Sequence, residues 1–205
     1  MEIILENIGR RFNQDWIFQG INYRFVQGES YAILGPNGSG KSTLLQVILS
    51  SLSPSKGKIS YINGEDEIDV EQLFPHMALA TPYLELIEEF TLRETIDFHF
   101  AFKKLWKGMT TDKLVELLGL HQALDREIRY FSSGMKQRTK LALACCADTP
   151  LLFLDEPTAN LDEKGVAWYQ ELIRVYGLSR LLVVCSNQPH EYAFCKYRLL
   201  VEDYK

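Results

Sequence analysis

The sequence predicts an α/β fold with a mixed, largely parallel sheet, an antiparallel β portion at the N-terminus and an inserted helical subdomain. Short apolar segments such as 151–154 and 181–185 alternate with helical segments, which is typical of parallel strands covered on both faces. A glycine-rich loop at 35–43 follows a strand and opens a helix. We expect one domain over residues 1–205, since this length supports one substantial core.

Composition and charge exclude several classes of protein. The net charge of −5 comes without a basic block that would follow a phosphate backbone, so we expect no nucleic-acid partner. No apolar run reaches the roughly 18 residues of a membrane span, and the first residues lack the layout of a signal peptide. The cysteines lack the CxxC spacing of a metal site, and we expect buried, reduced thiols at Cys145, Cys146, Cys185 and Cys195.

β-branched and aromatic residues predict three strands near the N-terminus: Ile3–Ile8, Trp16–Val26 and Ser30–Leu34. We expect these strands to be broken at Gly9, Asn13 and Gly28. A helix should then begin at about Lys41, and its spacing predicts a buried face that comprises Leu44, Leu45, Ile48 and Leu52.

The segment Pro54–Gly57 is expected to end this helix, and Lys58–Ile62 resumes as a strand before a turn at Asn63-Gly64. From about Leu92 to Leu124 the pattern is helical. An aromatic stripe there has the spacing i, i+4, i+7, i+8 and consists of Phe98, Phe102, Leu105 and Trp106. Such a stripe is usually buried in a core, which is the favoured interpretation. The alternative is that part of it borders a groove for a partner's helix.

The C-terminal half alternates helices and strands. In chain order we predict a helix at Ser133–Ala147, a strand at Leu151–Leu154, a helix at Gly165–Tyr176 and a strand at Leu181–Cys185. Both strands are almost wholly apolar, which indicates burial in the interior of a parallel sheet.

The most specific motif is the phosphate loop, Gly35–Thr43, which matches G-x-x-x-x-G-K-[ST] between a strand and a helix. Its glycines let successive N–H groups point at phosphate oxygens, and the helix N-terminus favours the anion. The motif predicts a P-loop NTPase core that binds ATP through Asn37, Gly38, Ser39, Gly40, Lys41, Ser42 and Thr43. We expect Lys41 to reach the β- and γ-phosphates and the Ser42 hydroxyl to coordinate Mg²⁺. A plain glycine-rich turn is the alternative.

A second acidic site supports the first. Residues 151–154 form an apolar strand that ends abruptly in Asp155 and Glu156. Asp155 is positioned to hold the Mg²⁺ shell, and Glu156 to orient and deprotonate the attacking water. The alternative is a solvated strand end. Kinases and GTPases share these two elements, so they do not define the class further.

The segment Tyr130–Arg138, YFSSGMKQR, narrows the class because it resembles the signature of ABC ATPases, LSGGQ-x-Q-R. It is a Ser/Gly cap at the start of a helix, which is a ready anion site. The resemblance implies that Ser132, Ser133 and Gly134 bind the γ-phosphate of ATP held by a second nucleotide-binding domain, in a head-to-tail dimer. A plain helix cap is the alternative.

The resemblance covers nearly the whole chain. Pro157–Asp162 is similar to the family's D-loop, and Thr91–Glu94 is similar to the segment that opens the helical subdomain. The resemblance implies a core lobe at 1–80 and 150–205 and a helical signature lobe at about 85–145. It also implies that Phe12 stacks on adenine, with Trp16 as a weaker candidate and core burial as the alternative for either.

One departure from the family pattern concerns the Q-loop. Its glutamine should follow the strand Met77–Ala80, but Thr81–Glu85 contains none, and either Pro82 or Tyr83 takes the position. Neither side chain offers an amide oxygen to Mg²⁺.

The other departure concerns the switch histidine, whose position is taken by Asn187. Asparagine can donate a hydrogen bond to the γ-phosphate but carries no charge near neutral pH. His190 would need a shifted loop to substitute. The catalytic candidates are therefore Glu156, Lys41 and Asn187, and hydrolysis is expected to be slower than in a relative with every family residue.

These observations predict an ATP-binding subunit of an ABC transporter that hydrolyses Mg-ATP to drive a separate integral membrane permease. We expect a homodimer on ATP binding and a place in the cytoplasm, at the inner face of the cell membrane through the permease. The alternatives are an ABC ATPase that acts on ribosomes or DNA, and a non-hydrolysing regulatory partner in a heterodimer.

Overall fold

The computed structural model describes residues 1–205, which form two β-sheets. The strands are β1 (Glu2–Phe12), β2 (Asp15–Val26), β3 (Ser30–Leu34), β4 (Lys56–Asn63), β5 (Asp66–Glu67), β6 (Met77–Ala80), β7 (Leu151–Asp155), β8 (Leu181–Cys185) and β9 (Tyr197–Leu200). One sheet is antiparallel, in the order β2-β1-β4-β5, and the other is parallel, in the order β6-β7-β8-β3-β9. The α/β fold expected from the sequence, with its antiparallel N-terminal portion, is confirmed.

The α-helices are α1 (Lys41–Ile48), α2 (Leu92–Phe102), α3 (Thr111–Leu118), α4 (Ser133–Cys145), α5 (Glu163–Tyr176) and α6 (Pro189–Tyr192). Short 3₁₀ turns occur at Val70–Gln72, Phe74–His76, His121–Ala123, Ile128–Tyr130 and Val201–Tyr204. Helices α2, α3 and α4 lie between β6 and β7 in the chain, although these two strands are neighbours in the parallel sheet. This insertion is the helical subdomain.

The parallel sheet is buried on both faces, as its apolar strands predict. Successive side chains of a strand point to opposite faces. Leu151 and Phe153 accordingly pack into a core with α1 and the antiparallel sheet, whereas Leu152 and Leu154 pack into a second core with α4 and α5. The helical subdomain contributes a third cluster of apolar side chains from α2, α3 and α4.

The four cysteines are free and buried, as expected. Burial raises the pKa of every one of these thiols above its ordinary value, to about 12 for Cys145 and Cys195. They therefore stay protonated near neutral pH and contribute packing rather than chemistry.

The expected strand break at Gly9 is wrong. Strand β1 continues to Phe12, with register shifts on either side of Ile8. The reason for the glycine is a close approach, because a Cβ at Gly9 would lie 2.9 Å from Cζ3 of the Trp16 ring.

Helix α1 ends earlier than the sequence predicts, so Leu52 lies beyond it. Ser50 adopts a left-handed conformation with φ of 55°, which stops the helix. The Tyr61 hydroxyl donates to the Ile48 carbonyl over 2.7 Å and satisfies a free acceptor of the last turn. Leu52 still packs at the edge of the core from the following loop.

The core interpretation of the aromatic stripe is wrong for its first half. Phe98 and Phe102 on α2 are 50% and 60% exposed. Helix α2 ends at Phe102, so Leu105 and Trp106 do not continue its face. The ring of Trp106 instead lies 4.4 Å from the Arg180 guanidinium and packs edge-on against Tyr176. The exposed half belongs to a groove described below.

Candidate functional site

The phosphate loop joins β3 to α1 and needs glycine where its backbone turns. Gly40 has φ of 104°, and a Cβ there would lie 2.5 Å from Cγ2 of Ile17. Gly35 has φ of 151°, and a Cβ there would lie 2.5 Å from Oγ of Ser39. Side chains at these positions would meet both backbone strain and a steric clash.

The turn leaves backbone donors free at the helix N-terminus. The amides of Gly38, Gly40, Lys41, Ser42 and Thr43 donate no hydrogen bond to any backbone carbonyl, in contrast to Leu44, whose N–H donates to the Gly40 carbonyl over 2.8 Å. Lys41 is only 5% exposed, and its ammonium donates to the carbonyls of Gly35 (2.8 Å) and Pro36 (3.1 Å). A buried cation in a loop whose N–H groups are unpaired forms an anion cradle.

The loop cleft is a polar cavity of about 330 Å³ over this cradle, lined by Ile17, Asn37, Gly38, Gly40, Lys41, Ser42, Thr43, Tyr83 and Glu156. It brings together all but one of the phosphate-binding candidates from the loop. The exception is Ser39, which lies beneath the loop, 4% exposed, with an Oγ that has no hydrogen-bond partner.

Asp155 ends β7 beside the loop cleft, where it lines an adjoining cavity together with Ser42. The residue is 2% exposed and its Oδ1 has no hydrogen-bond partner. Burial raises the pKa of Asp155, and the Ser42 hydroxyl and the Lys41 ammonium oppose that rise. A bare buried carboxylate next to a hydroxyl is a donor set that Mg²⁺ accepts, with phosphate oxygens and water completing its shell. These residues therefore fit the metal.

Glu156 lines the loop cleft from a strained backbone. Its φ of 42° is left-handed, which is uncommon for a residue with a side chain, and its N–H donates to the Cys185 carbonyl over 2.9 Å. Strain of this kind persists where surrounding contacts enforce it, and it is concentrated at functional sites. The left-handed backbone at Glu156 changes the direction of the chain at the end of β7, where this residue lines the loop cleft.

Asn187 does not line the loop cleft but touches its rim. Its Nδ2 donates to Oδ1 of Asn37 over 3.0 Å, which connects the end of β8 to the phosphate loop. His190 lies on α6, and its Nε2 is 3.0 Å from Oγ1 of Thr158. The histidine thus packs against the D-loop segment (Pro157–Asp162), away from the loop cleft.

Four further candidates lie outside the loop cleft. Phe12 is 45% exposed under the Arg10 guanidinium, which lies 4.6 Å from the ring centre, so adenine stacking stays a prediction. Ser132 caps α4, where its Oγ accepts from the Met135 amide at 3.2 Å, and Ser133 and Gly134 follow in the first turn. None of Ser132–Gly134 reaches the cleft of its own chain.

Sequence reasoning missed Ile17 and left Tyr83 undecided. Tyr83 rather than Pro82 lines the loop cleft, and its side chain is 78% exposed. The Lys140 ammonium on α4 holds this segment by donating to the carbonyls of Thr81 (3.1 Å) and Pro82 (3.0 Å). The period-2 pattern of β2 places Ile17 on a strand, but only the fold brings it over Gly40.

A second concave surface, the apolar groove, lies between α2 and the end of α1. It has a volume of about 340 Å³ and is lined by Leu49, Ser51, Phe74, Met77, Leu79, Leu84, Phe98, His99, Phe102 and Lys103. The Lys103 ammonium donates to the carbonyls of Phe74 (2.6 Å) and Met77 (2.7 Å). Burial lowers the pKa of Lys103 to about 8 and that of His99 to about 4.

Comparison with known proteins agrees with this geometry. Residues 18–159 match the model of the ABC transporter family. The chain is 32% identical over 197 residues to a cytochrome c biogenesis ATP-binding export protein of Agrobacterium fabrum, covering 92% of this chain and 90% of that protein. It is 35% identical over 167 residues to a sulfate/thiosulfate import ATP-binding protein of Synechocystis, of whose length it spans only 47%.

Solved structures show the same fold. A putative ABC transporter ATP-binding protein from Pyrococcus furiosus superposes with a TM-score of 0.82 at 18% identity, over 100% of both chains. The bacterial ABC transporter cassette MJ0796, solved as a dimer, gives a TM-score of 0.79 at 22% identity, over 97% of this chain and 94% of that one.

The fold and the loop cleft define a P-loop nucleotide-binding protein. Within that class, the chain belongs to the ABC transporter family, of which it is a nucleotide-binding domain. No helix combines the length and the apolar character that crossing a membrane requires.

Proposed function

We propose that this chain binds Mg-ATP and hydrolyses it to drive movement of a substrate through a separate membrane permease. The observation that carries the proposal is the loop cleft, where unpaired amides, the enclosed Lys41 ammonium and Glu156 face one cavity. A triphosphate would replace the loop carbonyls as the partner of Lys41. The proposal places the protein in the cytoplasm, at the inner face of the cell membrane through the permease.

The polar and charged residues in and beside the loop cleft have separate roles in hydrolysis. The loop amides and Lys41 hold the phosphates, and Ser42 and Asp155 would hold Mg²⁺. Mg²⁺ held by these two residues would supply positive charge to offset the charge that develops on the phosphate oxygens. Glu156 orients a water in line with the γ-phosphate and accepts its proton. Asn187 donates to the γ-phosphate from the rim of the loop cleft.

Two single substitutions separate binding from chemistry. Lys41→Ala should weaken ATP binding by at least about tenfold and abolish phosphate release, because it removes the cation of the cradle. Glu156→Gln should keep ATP binding and lower phosphate release by about a hundredfold or more, because it removes the base and keeps the shape. Equal phosphate release by the wild type and Glu156→Gln would contradict hydrolysis by this mechanism.

The start of α4 at Ser132–Gly134, here called the signature cap, supports a head-to-tail dimer. Ser132 and Ser133 are exposed and do not contribute to the cleft of their own chain. The cap would therefore complete the ATP site of a second copy, where its free amides meet the γ-phosphate. Closure on ATP and release after hydrolysis would give the transport cycle its two states.

The apolar groove supports docking of the permease. Phe98 and Phe102 present aromatic surface to solvent, and Lys103 is half-buried with no carboxylate paired to it in the chain. A cytoplasmic helix of the permease that carries a carboxylate among apolar side chains would complement both features. Phe102→Asp should then abolish co-purification with the permease while leaving ATP binding unchanged.

A second candidate function is that of a non-hydrolysing regulatory partner. What favours it is the resemblance, which implies that Pro82 or Tyr83 stands in place of the family's glutamine and Asn187 in place of its histidine. This function predicts ATP binding with a phosphate-release rate no greater than that of Glu156→Gln.

A further inference from the structure

A buried carboxylate lies behind the catalytic residues without touching the loop cleft. Glu191 belongs to α6, immediately after β8, and is 1% exposed. No lysine or arginine forms an ion pair with it. A buried carboxylate without a cation is stable only where hydrogen-bond donors surround it, so its partners indicate its role.

Its two oxygens divide between two segments. Oε1 accepts from the Thr158 amide over 2.7 Å and from the Thr158 hydroxyl, both in the D-loop segment. Oε2 accepts from the Ser186 hydroxyl, in the switch segment (Ser186–Gln188). The same hydroxyl oxygen accepts from the Gln188 amide over 2.8 Å and so fixes the local turn.

These two segments carry the residues assigned to the γ-phosphate. Glu156 lies two residues before Thr158, and its carbonyl accepts from the Ala159 amide over 3.0 Å. Asn187 follows Ser186 directly. One carboxylate therefore fixes the spacing between the backbone of the catalytic glutamate and that of the switch position.

Neighbouring groups hold the carboxylate in place. The Tyr169 hydroxyl donates to the Glu191 carbonyl over 2.8 Å. Since the Thr158 hydroxyl gives its proton to Glu191, His190 Nε2 must donate to Oγ1 of Thr158, 3.0 Å away. The arrangement is a connected network whose members are all satisfied, which is the condition for a rigid buried polar cluster.

We propose that Glu191 is a positioning residue that holds the D-loop segment and the switch segment in register, so that Glu156 and Asn187 act on one γ-phosphate. The role rests on the proposed ATP hydrolysis. It is carried by the hydrogen bonds of Glu191 to the two segments, because Glu191 contacts neither the loop cleft nor a cation. We call the hydrogen bonds of Glu191 to Thr158 and Ser186 the clamp. Displacing a catalytic group by about 1 Å can cost a hundredfold in rate, so the clamp would matter for turnover and little for binding.

The test compares substitutions that keep or remove the clamp. Glu191→Ala should lower kcat for ATP by about ten- to a hundredfold while KM stays within about twofold. Glu191→Gln should restore kcat to within about threefold of wild type. Its carbonyl oxygen can accept both Thr158 protons, and its NH₂ can donate to Ser186, whose hydroxyl then turns to the Gln188 carbonyl at 3.5 Å. Leu114→Ala, in the separate core of the helical subdomain, controls for lost stability.

Hydrogen exchange gives a readout that does not depend on turnover. In Glu191→Ala, peptides that cover 157–162 and 186–188 should both exchange faster, whereas Leu114→Ala should leave them unchanged. Should Glu191→Ala fail to fold, Ser186→Ala removes the bond on the switch side, and Thr158→Val removes the hydroxyl bond on the D-loop side while keeping the amide bond; each should loosen both segments.

The outcomes separate this inference from the proposed function. Wild-type hydrolysis with an unchanged kcat in Glu191→Ala, or exchange that rises in only one segment, would overturn the clamp and leave the ATPase intact. A wild type that releases no phosphate would overturn the proposed ATPase activity. Hydrogen exchange of residues 157–162 and 186–188 in Glu191→Ala would still test whether Glu191 connects the two segments.

Discussion

At the scale of single residues, two residues of the site have features that destabilise the folded chain when no ligand is bound. Asp155 is buried with one oxygen unpaired, and Glu156 holds a left-handed backbone. Both features cost free energy in the absence of a ligand, and both are explained by a metal and a water that these residues would hold. Replacing either residue should therefore raise the free energy of unfolding and lower the activity.

The first residue-scale prediction concerns Asp155. Because burial raises its pKa above the unfolded value, the folded state is penalised when pH rises through the folded pKa and the carboxylate ionises. Asp155→Asn should thus raise Tm at pH 7.5 by about 2–4 °C, and the gain should shrink as pH falls toward about 4, where the unfolded Asp protonates. Differential scanning calorimetry without nucleotide measures it, and an unchanged or lower Tm would contradict the burial argument.

The second concerns Asn187. A histidine at this position could hold charge beside the γ-phosphate, and a lost contact of this kind costs about 2–4 kcal/mol in the barrier. Asn187→His should then raise phosphate release by about tenfold or more. Gln122→His, which adds the same ring on an exposed turn of the helical subdomain, is the matched control and should leave the rate near wild type. No gain from Asn187→His would show that the switch position does not limit turnover.

At the scale of elements, the helix that opens with the signature cap is fixed at its other end by one arginine. Arg180, which is 1% exposed, donates to the carbonyls of Ala144 (3.3 Å), Cys145 (2.6 Å) and Ala147. It lies in the turn before β8 and satisfies acceptors that the end of α4 leaves free. A cation at a helix C-terminus also interacts favourably with the helix dipole.

We therefore expect Arg180→Met to lower the free energy of unfolding by about 3 kcal/mol, because buried carbonyls lose their donors. The matched control is Arg174→Met on α5, which loses only an exposed pair with Glu171 and should leave the unfolding midpoint near that of wild type. Urea unfolding of the two variants checks the difference. Equal midpoints for both would refute the capping role.

Sequence periodicity predicted most of the helices and strands. It did not predict the helix ends that depend on tertiary contacts. The phosphate loop and the strands Ser30–Leu34 and Leu181–Cys185 are confirmed because their local patterns are strong. The end of α1 depends on a hydroxyl of β4, and the aromatic stripe breaks where α2 ends. The clamp at Glu191 could not be read from sequence, since its partners lie 33 and 5 residues away.

At the scale of the whole molecule, one complete ATP site would need two chains in the proposed head-to-tail dimer. The Glu156→Gln variant should trap ATP and form a dimer of twice 23.6 kDa, measured by light scattering after size-exclusion chromatography. Ser133→Glu in that background should keep it monomeric, because a carboxylate would meet the partner's γ-phosphate. Gln122→Glu adds the same charge elsewhere on the helical subdomain and should leave the dimer intact. A dimer that tolerates Ser133→Glu would contradict the head-to-tail arrangement.

The most direct test of the central claim is isothermal titration of the purified chain with Mg-ATP. The wild type should bind one ATP per chain saturably, and Lys41→Ala should lose at least about tenfold in affinity, because the buried cation of the phosphate loop is gone. Absence of binding by the wild type, or equal affinity in a folded Lys41→Ala variant, would contradict it.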